Sequence, residues 1–193
     1  MSDYVVEKGV KDGYTWRVEL DIDPVNPRED PGSCLGVMVC FHRRYDLGDK
    51  HTFTDPEELD RFLSDRHVIS LPLYLYDHSV LRMSTESFHG RAQNAVSDSG
   101  QDGYIYTTPK RVAEFFGKQV PVKKIKEVLT DEVETYDNWG SGQVYGYVIE
   151  DKDGEHVESC YGYYGMDWVV EDAMDVISRL PSQYELTFKG VVC

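Results

Sequence analysis

Residues 143–164 read QVYGYVIEDKDGEHVESCYGYY, and this stretch decides the class of fold. Two runs rich in Tyr, Val and Ile lie on either side of the polar residues 151–154. Strand-forming runs joined by a short Asp/Gly segment are typical of a β-hairpin. A loop of two residues and a loop of four residues both fit, so the register stays open. The hairpin predicts a sheet that is at least partly antiparallel.

Helical patterns lie on both sides of the hairpin. Residues 122–136 place apolar side chains at helical spacing, and the Gly-Ser-Gly at 140–142 ends that helix. Residues 167–180 show the same periodicity after the hairpin. Shorter helices are predicted from the Thr-Asp-Pro at 54–56 and over 110–116.

The rest of the chain adds strands in a mixed order. Residues 77–107 carry so little pattern that they are predicted to form a long loop, broken only by Tyr-Ile-Tyr at 104–106. We therefore predict an α+β fold in a single domain, 1–193, with a largely antiparallel sheet and three to four helices. The further predicted strands are 14–23, 34–45, 68–76 and 184–191.

The charge excludes several classes of function. With 20 Lys plus Arg against 35 Asp plus Glu, the net charge is −15. A direct nucleic-acid binder or a protein of anionic membranes is therefore disfavoured, because both partners are polyanions. The chain has no apolar run of roughly 18–20 residues and no signal-peptide pattern at its start, which predicts a cytoplasmic protein. Its four cysteines form no C-x-x-C pair, which argues against a zinc knuckle and a thioredoxin-like redox pair. The leading prediction includes no metal and no cofactor.

Most of the negative charge lies in one segment. Residues 131–175 contain thirteen acidic residues and a single base, Lys152, and so carry −12 of the −15. Tyr and Trp residues alternate with these acids, and both are common anchors of protein–protein contacts. An interpretation without any partner also fits: the aromatics would pack beneath a solvated acidic surface.

The spacing of these carboxylates suggests how a partner could be bound. Carboxylates about 5–6 Å apart on a helix, or about 7 Å apart on a strand, match the spacing of successive phosphates in a nucleic acid. We therefore predict a surface that mimics nucleic acid and binds a basic protein. Its predicted residues are Asp131, Glu132, Glu134, Tyr136, Asp137, Trp139, Tyr145, Tyr147, Glu150, Asp151, Asp153, Glu155, Glu158, Glu171, Asp172 and Asp175.

A second group of polar residues follows the strand at 68–76. Asp77 and His78 come directly after it, and His89 and Asp98 lie farther along the same stretch. If the stretch folds back, these side chains would form a general-base or metal site. The alternative function is thus a small metal-dependent hydrolase or ligand-binding protein. Turn hydrogen bonds would explain the same residues without any site.

Five blocks of sequence carry a resemblance to a family. They are LPLYLYDHS (71–79), DSGQDGYIY (98–106), EVETYD (132–137), GQVYGYVIE (142–150) and ESCYGYYG (158–165). Together they resemble a set found in small acidic proteins encoded by phages and other mobile elements. The resemblance implies an anti-defence role, such as an anti-CRISPR or anti-restriction protein, and no catalytic residues. We therefore predict a non-enzymatic inhibitor of a host CRISPR effector or restriction enzyme.

Overall fold

The computed structural model describes residues 4–30 and 32–182. The chain divides into two compact units, residues 1–25 together with 142–193 and residues 26–141. We call them the terminal unit and the central unit. Within the described residues there are five helices and two four-stranded sheets. The predicted strand at 184–191 lies outside them.

All strand pairs are antiparallel, which together with the helices confirms the predicted α+β class. In chain order the elements are β1 (Val5–Lys11), β2 (Tyr14–Leu20), β3 (Val37–Cys40), α1 (Pro56–Leu63), β4 (Ile69–Asp77), β5 (Leu81–Ser84), α2 (Ala95–Asp98), β6 (Ser99–Thr107), α3 (Pro109–Phe116), α4 (Val122–Gly140), β7 (Val144–Glu150), β8 (His156–Tyr164) and α5 (Val169–Arg179).

The terminal unit is a sheet in the order β1-β2-β7-β8 with α5 packed on it. Tyr14, Trp16 and Val18 alternate along β2 and are buried, as expected when every second residue faces the core. The strand ends at Leu20, so Ile22 is exposed although the predicted strand ran to residue 23. The buried residues of the core between this sheet and α5 are Tyr14, Trp16, Val18, Tyr147, Ile149, Val169, Ala173 and Ile177.

The hairpin of β7 and β8 forms as predicted. Glu150 pairs with His156, so residues 151–155 form the loop and neither of the two open loop lengths is correct. The reason is local, because one Asp151 carboxylate oxygen accepts hydrogen bonds at 2.9 Å from the backbone N–H groups of Asp153 and Glu155. Such side-chain bonds hold a wider turn.

The central unit is a sheet in the order β3-β6-β4-β5. Helix α4 packs on β4, β5 and β6, and the core lies between them. On β6, Ile105 faces this core, so the adjacent Tyr106 faces the other side of the sheet, where it contacts Phe53 and Phe62. The buried residues of the core are Leu35, Met38, Cys40, Leu73, Leu75, Met83, Ile105, Ile125, Leu129, Val133 and Tyr136.

Helix ends in the central unit follow the predicted signals. The Asp55 carboxylate accepts from the Glu58 N–H at 2.8 Å and caps α1, with Pro56 as the first helical residue. Gly117 adopts φ 62° and ends α3, as an αL residue commonly does. In the terminal unit, α5 begins at Val169, slightly later than predicted.

The predicted long loop over residues 77–107 is wrong. It contains β5, the short α2 and the first half of β6. The start of β6, Ser-Gly-Gln-Asp-Gly, has little strand propensity of its own, and its pairing with β4 holds it extended. Conversely, β3 covers only four residues, shorter than the predicted strand at 34–45.

Candidate functional site

The predicted surface residues are distributed over both units. Those at positions 131–139 lie on α4 in the central unit, and those at positions 145–175 lie in the terminal unit. We therefore describe the two groups separately.

Glu132 is part of a buried ionic network and does not belong to the surface. Its carboxylate accepts from the backbone N–H groups of Leu35 at 2.6 Å and Gly36 at 3.0 Å. The Arg28 guanidinium donates to Glu132 at 3.1 Å and to Asp49 at 2.9 Å. The Arg28 side chain is 2% exposed. Because both carboxylate oxygens of Glu132 already accept hydrogen bonds within the unit, this group is unavailable to a partner.

Asp137 and Tyr136 are likewise internal. Asp137 is 9% exposed. Its carboxylate accepts hydrogen bonds from Nε and Nη2 of Arg82 and from the Met83 N–H, the last at 2.6 Å. Tyr136 is in the core, where its hydroxyl accepts from the Gly48 N–H at 3.0 Å. Trp139 packs against the Tyr136 ring, with centroids 5.5 Å apart. On α4, the exposed members of the predicted surface are Asp131 and Glu134.

Several predicted residues of the terminal unit also have structural roles. Tyr147 is 3% exposed and belongs to the core, with Tyr145 packed beside it. Glu150 accepts from Arg17 at 2.6 Å, and Asp151 organises the hairpin loop. The aromatic residues of the segment thus pack in part beneath the acids, as the interpretation without a partner expected. Asp153, Glu155 and Glu158 remain exposed on the hairpin.

A groove beside α5 brings acidic and aromatic side chains together. It has a volume of about 370 Å³ and is lined by Tyr163, Trp168, Glu171, Asp172 and Asp175. Trp168 is 70% exposed. Asp172 is held by the Tyr163 hydroxyl, and burial together with this bond raises the Tyr163 pKa. We call this feature the acidic groove.

The electrostatics around the acidic groove are strongly negative. Residues 150–175 contain nine acidic residues and one base, Lys152, which gives a net charge of −8. Burial, and after it the charges of Asp172, Cys160 and Glu158, raise the pKa of Tyr147.

The stretch after β4 folds back, as the alternative function required. His78 Nδ1 lies 2.7 Å from an oxygen of Asp98. Hydrogen bonds from Ser97 and then from His78 lower the pKa of Asp98. Asp77 pairs with Arg44, whereas His89 is exposed and does not join the cluster. The structure thus brings His78 and Asp98 together and leaves His89 apart, and a functional site in this stretch stays a prediction.

Residues 4–30 and 32–182 contain no group of three or more His, Cys, Asp or Glu arranged to hold a metal ion. In the same part of the chain, no helix combines the length and apolar character needed to cross a membrane.

Comparisons of the chain with protein-family models, with curated proteins and with solved structures gave no match in any of the three. The resemblance to small acidic phage proteins stays a prediction from the five sequence blocks.

Two residues of the buried network, Arg28 and Asp49, were not marked by any pattern in the sequence. Arg28 lies in a Pro-rich loop and Asp49 in a polar one, so neither belongs to a periodic pattern that would mark it as buried.

Proposed function

We propose that this protein acts inside a host cell as a non-enzymatic inhibitor of a nucleic-acid-handling defence protein, either a CRISPR effector or a restriction enzyme. The inhibitor occupies a basic nucleic-acid groove of its target and competes with DNA or RNA. The acidic groove is the observation that carries this proposal. The sequence blocks that resemble phage and mobile-element proteins support the same context.

The acidic groove has the chemistry that an arginine-rich surface requires. Glu171 and Asp175 are separated by one helical turn, which places their side chains on one face of α5, and Asp175 also pairs with Arg179. Exposed Trp168 offers a flat face on which a guanidinium group stacks. Charge complementarity of this kind speeds association and weakens with salt. The target surface is therefore expected to be rich in Arg and Lys.

The test measures protection in cells. The protein is co-expressed with a single-effector CRISPR nuclease or with a restriction enzyme, and transformation by a targeted plasmid is scored. We expect at least one of these systems to be blocked, and the blocked nuclease to lose binding to the inhibitor once it is loaded with DNA. Equal capture of the DNA-loaded and DNA-free nuclease would contradict competition.

A matched pair of variants assigns the effect to the acidic groove. Trp168→Ala with Glu171→Gln and Asp175→Asn, all at residues that line the groove, is expected to reduce protection at least tenfold. The control removes the same number of charges and one exposed aromatic from the central unit: Asp131→Asn, Glu134→Gln and Phe115→Ala. The proposal fails if both triple variants protect as well as the unmodified protein, or if only the control loses protection.

A further inference from the structure

The two outer edges of the sheet in the terminal unit differ in how well they are protected. The outer strands are β1 and β8, and among the described residues no further strand pairs with either. Two bulges interrupt the pairing of β8 with β7, and bulges protect an edge against pairing with another chain. In β1 the pairing is irregular between Val5 and Glu7 but regular over residues 7–11. Residues 7–11 therefore form an edge of five residues without a bulge.

The turn between β1 and β2 determines which backbone groups of β1 point away from the sheet. Asp12 and Gly13 both have a positive φ, 51° and 85°, as in a two-residue turn of type I′. A hydrogen bond between the two flanking residues closes such a turn, so Lys11 bonds to β2. Bonded and non-bonded pairs alternate along an antiparallel ladder, so every second residue counted back from Lys11 also bonds to β2. The N–H and C=O groups of Lys8 and Val10 therefore point outward.

The side chains of β1 leave this edge accessible. Val10 is 66% exposed, and Lys8 is exposed beside it on the same face of the sheet. On the face that carries α5, Gly9 has no side chain, and the ring of Trp16 covers its backbone. An exposed edge with apolar side chains is a site at which another strand adds to a sheet.

The sequence of β1 fits a second copy of itself. In a symmetric antiparallel pair the outward-pointing Lys8 and Val10 must bond to each other or to themselves, so the pair is centred on a residue. A pair centred on Lys8 would place two lysines opposite each other, and like charges in that position destabilise a sheet. A pair centred on Gly9 uses all of residues 7–11. Lys8 then lies opposite the second copy's Val10 and forms two backbone hydrogen bonds with it on each side of the centre.

The charges of β1 are complementary to themselves in this register. Glu7 of each copy lies opposite Lys11 of the other, on the face that carries α5, which gives two ion pairs. Lys11 Nζ already donates to the Met174 carbonyl at 3.0 Å, so the ammonium is held near β1 and keeps two further donors. On the other face, the apolar stem of each Lys8 covers the exposed Val10 opposite it.

We propose that two copies of this protein pair through β1, antiparallel and centred on Gly9, into a two-fold symmetric dimer. The two four-stranded sheets become one continuous sheet of eight strands. The dimer is closed, because each copy uses the same edge and offers no second one. The acidic groove includes Tyr163 on β8, the opposite edge of the sheet. The dimer therefore carries two acidic grooves and forms whether or not they bind a target.

The test is sedimentation equilibrium of the full chain over a series of protein concentrations. We expect dimers that dissociate on dilution. Glu7→Lys and Lys11→Glu should each weaken association at least tenfold, because like charges then lie opposite each other at both ends of the pair. An equimolar mixture of these two variants restores both ion pairs and should form a heterodimer. A monomer at every concentration, or a mixture that stays monomeric while the unmodified protein dimerises, would overturn the proposal.

Glu158→Lys on β8 is the matched control, because it reverses an exposed carboxylate on the other edge and changes the net charge by the same amount as Glu7→Lys. It should dimerise at least as well as the unmodified protein, since it reduces the negative charge without touching β1. Loss of dimers in Glu158→Lys and not in Glu7→Lys would move the contact to the β8 edge and exclude the proposed one.

A second measurement needs no variant and so does not depend on how the variants fold. Amide hydrogen exchange at Lys8 and Val10 in the unmodified protein should slow as the protein concentration rises, because these N–H groups bond to the second copy. Fast exchange in a solution of dimers would contradict the proposal. Slow exchange at every concentration would assign the edge to another segment of the same chain and would contradict it as well.

Discussion

Arg28 brings a full positive charge into the interior of the central unit, and its neighbours satisfy it. Two carboxylates, Asp49 and Glu132, and the Gly36 carbonyl accept its hydrogen bonds. Removing one partner of a buried ion pair is costly because the other charge stays behind without compensation. Each member of this network therefore matters more for stability than an exposed charge of the same type.

Glu132 and Glu134 provide a direct comparison on one helix. Glu132→Gln places an amide where the Leu35 and Gly36 N–H groups require acceptors, and we expect it to lower the free energy of unfolding by about 2 kcal/mol. Glu134→Gln alters an exposed side chain and should change the free energy of unfolding by less than about 0.5 kcal/mol. Urea unfolding of both variants measures these changes. Equal losses of unfolding free energy in the two variants would show that the hydrogen bonds of Glu132 do not stabilise the unit.

The same pair shows how far sequence reasoning reaches at this scale. The high density of acidic residues in 131–175 is visible in the sequence alone. The exposed carboxylates of the acidic groove belong to that segment. The direction of each side chain was not visible. Glu132 turns inward because Arg28 and two free backbone donors lie there, and these come from residues about a hundred positions away.

In the sheet of the terminal unit, a glycine and an aromatic ring occupy paired positions. Gly146 on β7 lies opposite Tyr161 on β8, and a Cβ atom on Gly146 would come within 2.2 Å of the Tyr161 ring. The ring therefore covers the glycine backbone, and its hydroxyl reaches Glu19 on β2. Gly9 and Trp16 repeat this arrangement between β1 and β2.

Gly146→Ala is expected to displace the Tyr161 ring and break its bond to Glu19. Burial and that bond raise the Tyr161 pKa to about 12, so the displaced hydroxyl should titrate closer to its usual value of about 10. The strain should also cost roughly 1–3 kcal/mol of stability. Ultraviolet titration of tyrosine and urea unfolding measure the two effects.

Gly100→Ala is the control for this prediction. It also lies in a strand, and its Cβ atom would meet open space. It should leave both the tyrosine titration and the unfolding curve nearly unchanged. If Gly146→Ala behaves in the same way, the close approach of ring and glycine has no energetic consequence.

Elements with local signals were predictable and those with distant partners were not. The cap of α1, the glycine at the end of α3 and the β7–β8 hairpin are all encoded within a few neighbouring residues. Strand β1 is mostly exposed and β6 begins with residues that favour loops, so each depends on its pairing partner. No local pattern could have revealed either strand.

At the scale of the molecule, the central unit has a core of its own, which is a first requirement for independent folding. Its core is formed by its own residues, and the Arg28 and Arg82 ion pairs both close within it. We expect residues 26–141 expressed alone to unfold in one cooperative transition and to show near-ultraviolet circular dichroism from packed aromatics. A fragment that lacks both properties would show that this unit depends on the rest of the chain.

The terminal unit is made from two distant parts of the chain, since β2 pairs with β7 across the whole of residues 21–143. During translation, β1 and β2 leave the ribosome well before their partner exists. At roughly 5–20 residues per second, β2 waits on the order of ten seconds with an unpaired edge and an uncovered Trp16. The acidic groove therefore forms only after residue 175 has left the ribosome, and a nascent chain cannot engage a target through it before then.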